Sequence, residues 1–576
     1  MTDGNQEGAF LFYLLLGGLL TLVLGILALV LFRRAVRRNM QGAVLADPPV
    51  AAPGSRRPAR APLVLRVETL SAPPSGMGPS DRPLGRLAAA HAIAGLSFGA
   101  VAALLLLVLS GTEIAPLRFA AVAWSYTWPT VLVLALLVGP DRRTQAAIVL
   151  CYAGGLVILC LAAWLAGTPE LNVGGLLSIP GFLSPALIWG INALPSAFLL
   201  LFLNRAIRAI GPLVIVFTTV ALLGSHVALS ILAVESVMMG AAGLAADTGI
   251  GGHGVFWGVA LLGLLAGSWP AWRCVVFLRD RYAAKRLSDL MLTIYAIWLL
   301  QTLVLASSLL REQGLIGVAA AFLALLAWRL ALAAALRPVV AQARTRPARE
   351  LLLLRVFGTG RRSRRLLDLL AARWRVLGSI DLIAGPDLAS RTVEPAIFLE
   401  FLRGRLRRLF IRTSNDLANR LADIDRGPDP DGRFRVNQLF CSGEIWKTAV
   451  TTLMGKASFV VMDLRGFGPQ RRGCVFELQT LLDTVDVSKL VLLVDATSDR
   501  GSLEQVLQER WRLLEVKSPN LASERADLVL YNVSAQESRA VRTLLQAAQA
   551  LPASTATGQE TDEAARSRLM PIGPLL

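Results

Sequence analysis

The residues best suited to chemistry lie in one short segment, 458–482, which reads SFVVMDLRGFGPQRRGCVFELQTLL. Its pattern predicts a buried strand over 459–464, a glycine-rich turn and then a helix. Asp463 ends the strand, and Glu477 stands in the first turn of the helix, where the dipole favours an ionised carboxylate. Such a carboxylate could stabilise or attack an oxocarbenium-like ribosyl centre, which makes Glu477 and Asp463 candidate catalytic residues. The candidate ligand-binding residues between them are Arg465, Gly466 and Gly473. The alternative is that Glu477 merely complements the helix dipole.

A second glycine-rich turn, GTGRRS at 358–363, follows another predicted strand. Backbone N–H groups at such a helix start can cradle a phosphate, and arginines add charge-assisted contacts. The candidate ligand-binding residues are Gly358, Gly360, Arg361 and Ser363. The turn matches neither GxxxxGK[ST] nor a complete GxGxxG, so a solvated basic turn is the competing interpretation.

The elements that must position these residues alternate between strand and helix. Apolar strands are predicted at 351–357, 380–384, 434–440, 459–464, 490–494 and 528–531. Helices are predicted at 363–377, 394–407, 444–455, 474–485, 503–514 and 535–551. This alternation predicts a doubly wound α/β domain with a mostly parallel sheet over residues 338–551. Ligands bind beyond the carboxyl ends of such strands, which adds Asp387 and Asp495 to the candidate ligand-binding residues. Segment 408–432 is long for a connection and is predicted to be an insertion or lid.

The strand ending in aspartate, the glycine-containing turn and the sequence GCVFEL (473–478) resemble the catalytic segment of nucleoside 2-deoxyribosyltransferases and of TIR-like domains. That resemblance implies that Glu477 acts on the ribosyl C1′ while Asp463 and Arg465 line the pocket. It implies NAD, a nucleotide or a nucleoside as ligand. Arg472 and Gln479 depart from the pattern of those families, at positions where they often have asparagine and glycine. The region also resembles an uncharacterised cytoplasmic domain of bacterial multi-span proteins.

The rest of the chain is far more apolar. The 576 residues are 54% hydrophobic and 17% charged, and apolar runs of span length fill the sequence up to about residue 336. They predict a polytopic α-helical membrane region of about nine spans. The predicted spans are 9–32, 87–109, 119–139, 145–167, 186–203, 213–234, 255–272, 290–310 and 315–336. Arginines concentrate in alternate loops, which predicts an inner-membrane protein with its N-terminus outside and its C-terminal domain in the cytoplasm.

These patterns divide the chain into five regions. Residues 1–38 form an N-out anchor helix, 39–86 a disordered Pro/Arg-rich cytoplasmic linker with one possible strand at 64–70, and 87–337 an eight-span membrane domain. The α/β domain occupies 338–551, and a disordered tail follows over 552–576. The net charge of +18 is assigned to loops beside anionic lipid, so the bilayer is an expected partner and nucleic acid is not. Whether the chain forms a homo-oligomer is left open by the sequence. The scattered cysteines indicate no metal site.

Three functions are compatible with this organisation. The first is a membrane protein in sensing or effector signalling, whose cytoplasmic domain binds a nucleotide or nucleoside and cleaves an N-glycosidic bond. The second is a membrane-anchored interaction or regulatory module without catalysis. The third is a transporter with a regulatory cytoplasmic domain. His226 and Arg329 are ionisable groups within the predicted spans, and such sparse intramembrane charge argues against transport.

Overall fold

The computed structural model describes residues 3–40, 56–69, 81–139, 141–173, 177–346, 348–356, 360–384, 395–441, 445–523, 526–533, 541–542 and 544–545. Helices of the N-terminal region are α1 (Asp3–Met40), α2 (Asp81–Leu109), α3 (Pro116–Tyr126), α4 (Pro129–Val138), α5 (Arg142–Leu165), α6 (Ser184–Ala193), α7 (Arg205–Leu232), α8 (Glu235–Thr248), α9 (Gly252–Ala283) and α10 (Asp289–Thr345). Helices of the C-terminal region are α11 (Gly360–Trp374), α12 (Pro395–Leu402), α13 (Ser414–Ala422), α14 (Ile445–Lys456), α15 (Arg472–Thr484) and α16 (Arg500–Trp511).

The strands, in chain order, are mostly short. They are β1 (Arg56–Arg57), β2 (Leu63–Thr69), β3 (Leu171–Val173), β4 (Leu177–Ile179), β5 (Leu351–Arg355), β6 (Ile380–Ile383), β7 (Phe410–Ile411), β8 (Val436–Cys441), β9 (Phe459–Asp463), β10 (Leu490–Val494), β11 (Leu514–Glu515) and β12 (Ala526–Asn532). The six strands predicted for the α/β domain are confirmed as β5, β6, β8, β9, β10 and β12. The sequence pattern predicted neither β7 nor β11.

In the described residues, seven helical segments are long and apolar enough to cross a membrane, and an eighth is added if α3 and α4 form one bent span. These two helices meet at 43°. The break precedes Pro129, which has no amide hydrogen to donate and suits a first helical turn. Another break divides α10 at Gly314, whose φ of 60° lies in the left-handed region. These eight segments overlap the second to the ninth predicted spans. The first predicted span, 9–32 within α1, stays a prediction.

Small residues bring α7 and α9 into close contact. Gly263 and Gly267 of α9 form a GxxxG pair, and a Cβ at Gly267 would lie 2.6 Å from the Ala221 carbonyl oxygen of α7. A Cβ at Gly224 of α7 would lie 2.5 Å from the Gly263 carbonyl oxygen. The two backbones therefore approach each other directly, as they do in GxxxG-mediated packing.

The C-terminal region contains an eight-stranded sheet in the order β2-β12-β10-β9-β5-β6-β8-β7, with parallel pairing throughout. Side chains alternate between its two faces. Leu351, Leu353 and Val461 pack with α11 and α12 on one face, whereas Leu352 and Val460 pack with α14, α15 and α16 on the other. The predicted doubly wound parallel sheet is thus present in this region.

Part of the predicted disordered linker belongs to this sheet. The possible strand predicted at 64–70 is present as β2, whereas β1 was not expected. Strand β2 pairs in parallel with β12 along its whole length, from Leu63 with Ala526 to Thr69 with Asn532. Leu63 is buried in the core beside α16, and β1 pairs with β11. Alternating apolar residues let β2 cover an otherwise open sheet edge, a long-range pairing that the Pro/Arg-rich composition concealed.

The α/β domain packs directly on the helical region through α11 and α12. Phe32 of α1 contacts Phe398 and Phe401 edge-on, with ring centroids 5.8 and 5.5 Å apart. Arg373 of α11 pairs with Asp81 at the start of α2 and with Asp141 before α5, both at 3.0 Å. The ends of α1 and α2 and the segment before α5 therefore lie on the side that faces the sheet.

The segment predicted to be an insertion or lid, 408–432, also lies at this junction. Its first half forms β7 and α13, and its second half leads into a loop against the ends of α9 and α10. Lys285 pairs with Asp425, and Ser288 Oγ donates to Asp431 Oδ2 over 2.7 Å. Arg435, just after the segment, stacks on Tyr282 at 4.3 Å. Since these contacts join the two regions, the second half is a docking element and not a cover over the sheet edge.

Candidate functional site

The candidate site lies where the direction of the chain through the sheet reverses. From β5 the chain moves outward through β6 to β8, and then returns to place β9 on the other side of β5. Connections leaving adjacent strands in opposite directions open a crevice at their carboxyl ends, the usual ligand position in such sheets. At that end, Arg355 of β5 is the register partner of Asp463 of β9.

Asp463 and Arg465 are buried and bound to each other. The Arg465 Nε donates to Asp463 Oδ1 over 2.7 Å, and Nη2 donates to Oδ2 over 2.9 Å. Their side chains are 2% and 4% exposed. A bidentate pair of this kind holds the turn after β9 in a fixed shape. The Asp463 carboxylate is therefore engaged in a structural contact, which leaves it poorly suited to act as a general base.

Glu477 points into the protein interior from the second turn of α15. Its residue is 3% exposed, and its Oε2 accepts no hydrogen bond from the described residues. Burial raises the pKa of Glu477 to about 8, although the positive charge of Arg355 acts in the opposite direction. The raised pKa favours the protonated form of the carboxyl group at neutral pH. In that form it is a hydrogen-bond donor or a proton source, whereas the first-turn position predicts an ionised carboxylate.

An aromatic pair joins α14 to α15. Trp446, at the start of α14, meets Phe476 edge-on with ring centroids 5.4 Å apart. Its Nε1 is buried without a hydrogen-bond partner in the described structure. A Cβ at Gly473 would come within 3.9 Å of the Trp446 ring. This indole therefore packs against the beginning of the helix that carries Glu477.

The remaining described candidates shape the turns around the crevice. Gly466 has a φ of 76°, a conformation that favours glycine, and it sets the turn after the Asp463–Arg465 pair. Asp495 follows β10, and its Oδ1 accepts from the Thr497 amide over 2.9 Å. Ser498 Oγ donates to the Leu464 carbonyl oxygen over 2.9 Å and so ties this turn to the neighbouring one. Asp495 therefore has a turn-forming role at the rim.

The second glycine-rich turn, 358–363, is described by the structure from Gly360 onward. Gly358 and Asp387 lie outside the described residues. The backbone of Gly360, Arg361 and Ser363 forms the first turn of α11, the helix that follows β5 in the chain. The strand order makes β5 the neighbour of β9, an adjacency that the sequence pattern alone did not contain.

Arg355 and Trp446 were not among the sequence-based candidates. Arg355 lies in the apolar run LLLLRVF, where the predicted strand extended to residue 357 and treated the arginine as an interior position. The strand ends two residues earlier, so Arg355 stands at the carboxyl edge. A cation near the end of an apolar strand is the signal that would have identified it. No comparable signal marks Trp446.

Arginine, a neutral glutamic acid and nearby backbone turns can together bind a polar ligand that carries phosphate. Among the described residues, no three His, Cys, Asp or Glu side chains are grouped as metal ligands. Comparison of the chain with models of known protein families, with curated proteins and with solved structures gave no match.

Proposed function

We propose that this chain is an integral membrane protein whose α/β domain binds a nucleotide or nucleoside at the crevice between the carboxyl ends of β5 and β9. The observation that supports this proposal best is the convergence of Arg355 and Glu477 there: they come from different βα units and lie within electrostatic range of each other. The resemblance of residues 458–482 to the catalytic segment of ribosyl-transferring families points to the same ligand class.

The charges around the crevice suit a phosphate-bearing ligand. Arg355 ends β5, and Arg471 and Arg472 stand at the start of α15, with Arg472 exposed. A phosphate at this point would face the positive end of the helix dipole as well as guanidinium groups. A protonated Glu477 can donate a hydrogen bond to a ribose or base acceptor. This division of roles favours binding of a nucleotide over binding of a simple anion.

Within this proposal, the non-catalytic version is favoured. A glutamate that attacks or stabilises a ribosyl cation must be ionised, and burial of Glu477 opposes ionisation. The catalytic version needs a bound cationic ligand, such as a nicotinamide ring, to bring the pKa of Glu477 down. Binding without turnover would make the α/β domain a sensor or regulatory module. Because this domain packs directly on α1, α2 and α10, a conformational change on ligand binding could be transmitted to the membrane helices.

The orientation of the chain is part of the proposal. The segments 33–38, 141–143, 204–208 and 273–286, which carry most of the loop arginines, correspond to helix ends on the side of the α/β domain. Arg373 with Asp141 and Arg435 with Tyr282 are contacts on this side. Since arginine-rich loops remain in the cytoplasm, we place the α/β domain there, in a bacterial inner membrane protein.

Calorimetric titration of the full chain in detergent with ATP, NAD and adenosine tests the proposal. Saturable binding of at least one of them is expected. Arg355→Gln should weaken it by about tenfold or more, because a charge-assisted contact to phosphate is lost. Arg472→Gln, at an exposed position that folding tolerates, should weaken it severalfold. Arg512→Gln, an exposed arginine just after α16, is the matched control and should bind as the wild type does.

Base release from NAD and nucleosides, followed by chromatography, separates the two versions. The favoured version gives binding without release. Release that is abolished in Glu477→Gln would establish the catalytic version instead. Absence of binding to all three ligands, or equal affinities in the wild type and in both crevice variants, would contradict the proposal.

A further inference from the structure

One edge of the eight-stranded sheet is long and open. Strand β2 pairs with β12 through seven residues, from Leu63 to Thr69, and no described strand pairs with its other side. The opposite edge is β7, which has two residues. Alternate backbone N–H and C=O groups of an edge strand point away from its sheet, and a long edge of this kind is a template for a further strand. The sheet can therefore be extended beyond β2.

The side chains of β2 suit pairing with another strand. Val64 and Val67 are 43% and 46% exposed. Arg66 and Glu68 are exposed as well, and the Arg66 Nη2 lies 3.5 Å from Asp527 Oδ2. Because side chains alternate between the two faces of a strand, Arg66 and Glu68 share one face and Val67 lies on the other. The edge thus presents apolar surface together with two opposite charges at a fixed spacing.

The sheet turns one of its faces towards the helical region. On the face covered by α11 and α12, Leu351 and Leu353 belong to the same core as residues of α1, α7 and α9, namely Phe32, Ile210 and Val275. The other face packs against α14, α15 and α16. A line perpendicular to the sheet therefore points towards the helical region, and with the proposed membrane location it follows the membrane normal.

A second copy of this chain can meet the edge within the same bilayer. Two identical strands that pair antiparallel are related by a two-fold axis perpendicular to their sheet. Both helical regions then lie on the same side of the joined sheet, as two copies in one membrane must. Parallel pairing of the same strands needs an axis along the strands, which turns one copy over. This requirement rests on the membrane location in the proposed function.

The charges of β2 select one register for such a pair. The two-fold axis keeps each face on its own side, so residues that meet across it are both odd or both even in number. An axis at Val67 places Arg66 opposite Glu68 of the second copy, and this pair occurs twice. An axis at Arg66 or at Glu68 would place like charges opposite each other, which is unfavourable. The two Val67 side chains would meet on the face that carries the buried Leu63.

We propose that β2 pairs antiparallel with β2 of a second copy about a two-fold axis at Val67. The contact joins the two eight-stranded sheets into one continuous sheet, and Arg66 and Glu68 determine its register. Each copy contributes the same strand, so the interface is closed and forms a dimer. Strands β12 and β10 separate β2 from β9 and β5, so the dimer contact leaves the proposed nucleotide crevice open.

Disulfide cross-linking of the full chain in detergent, without nucleotide, tests the proposal independently of ligand binding. Val67→Cys should give a covalent dimer on a non-reducing gel, because opposite Cβ atoms in such a pair lie about 5 Å apart. Val64→Cys is the matched control, with similar exposure on the same strand. Its two copies would lie about 20 Å apart, given a rise of about 3.4 Å per residue, and should not cross-link. The wild type, whose Cys151 is exposed, gives the background.

Charge reversal tests the register. With Val67→Cys present, Arg66→Glu and Glu68→Arg should each lower the cross-linked fraction severalfold, because each places like charges opposite one another. Co-expression of these two variants with tags of different size should restore cross-linking in the mixed dimer, where every opposite pair is again complementary. No dimer with Val67→Cys, equal cross-linking at positions 64 and 67, or no preference for the mixed dimer would overturn the proposal.

Discussion

Arg355 and Asp463 are the last residues of two neighbouring parallel strands and face each other in register. Each strand leads into a different helix, and the chain leaves the pair in opposite directions across the sheet. Glu477 approaches this point from α15. The pair therefore marks the position at which a doubly wound sheet is open to a ligand.

The first prediction concerns the pH dependence of stability. The pKa of Glu477 is raised from 4.5 to about 8 by burial, so between these values the folded chain holds a proton that the unfolded chain has lost. This contribution to stability is fully present below pH 4.5 and is lost as the pH rises towards 8. Glu477→Gln should remove this loss, so at pH 7 the free energy of unfolding of the variant should exceed that of the wild type by on the order of 3 kcal/mol.

Thermal unfolding of the wild type and Glu477→Gln across this pH range measures the effect. The difference in stability between Glu477→Gln and the wild type should grow from pH 4.5 and level off near pH 8. The exposed carboxylate of Glu509 serves as control, and Glu509→Gln should follow the wild type at every pH. A constant difference between Glu477→Gln and the wild type would show that Glu477 is ionised in the folded chain.

The second prediction tests the edge strand β2. Leu63 is 5% exposed within the sheet core, whereas Val64, one position along, is 43% exposed. Leu63→Asp should lower the free energy of unfolding by about 3 kcal/mol or more, because it buries a carboxylate and removes apolar packing. Val64→Asp should change it little. Similar effects of the two substitutions in a thermal unfolding assay would mean that β2 does not pack as a strand of the sheet.

The third prediction concerns the ion pairs that dock the two regions. Among the described residues, Arg373→Met leaves Asp141, whose side chain is 6% exposed, with the half-exposed Arg542 as its one charged partner, at 3.2 Å. Breaking a buried pair in this way should cost about 3 kcal/mol or more. Adding Asp141→Asn should recover part of the loss. Arg512→Met at an exposed position is the control, and a loss of similar size there would argue against a specific role for Arg373.

The fourth prediction compares two glycines of α9. Gly267→Ala places a Cβ 2.6 Å from the Ala221 carbonyl oxygen, so α7 and α9 must separate, and destabilisation of about 1–3 kcal/mol is expected. A Cβ at Gly258 meets nothing within 4 Å. Gly258→Ala should therefore be neutral or slightly stabilising. Thermal unfolding of both variants in the same detergent tests this difference. Equal unfolding midpoints for the two variants would disprove the close contact between α7 and α9.

The division into an apolar helical region and an α/β domain could be predicted from the sequence, because span-length apolar runs and alternating βα patterns are local signals. The strand order could not be predicted. After β8 the chain crosses back over the sheet and adds β9 on the far side of β5, and no local pattern specifies this crossing. The contribution of Leu63 to the sheet core was hidden for the same reason, as its partner strand lies more than 400 residues later.

The candidate site was predicted in part. The position of Glu477 on a helix after β9 follows from local pattern, but its burial depends on the packing of α15 against the sheet. Burial raises the pKa of Glu477 and so opposes the expected ionisation, because the local dipole argument assumes a solvated carboxylate. The bidentate contact between Asp463 and Arg465 is equally invisible in spacing alone, although the two residues are only two positions apart.

Photolabelling of the full chain with an azido-adenine nucleotide, followed by mass spectrometry, tests the central claim most directly because it locates the ligand. We predict that labelling competed by unlabelled nucleotide falls in peptides that cover residues 355–363 or 464–477. Competed labelling confined to other parts of the chain, or labelling that unlabelled nucleotide does not reduce, would contradict a nucleotide site between β5 and β9.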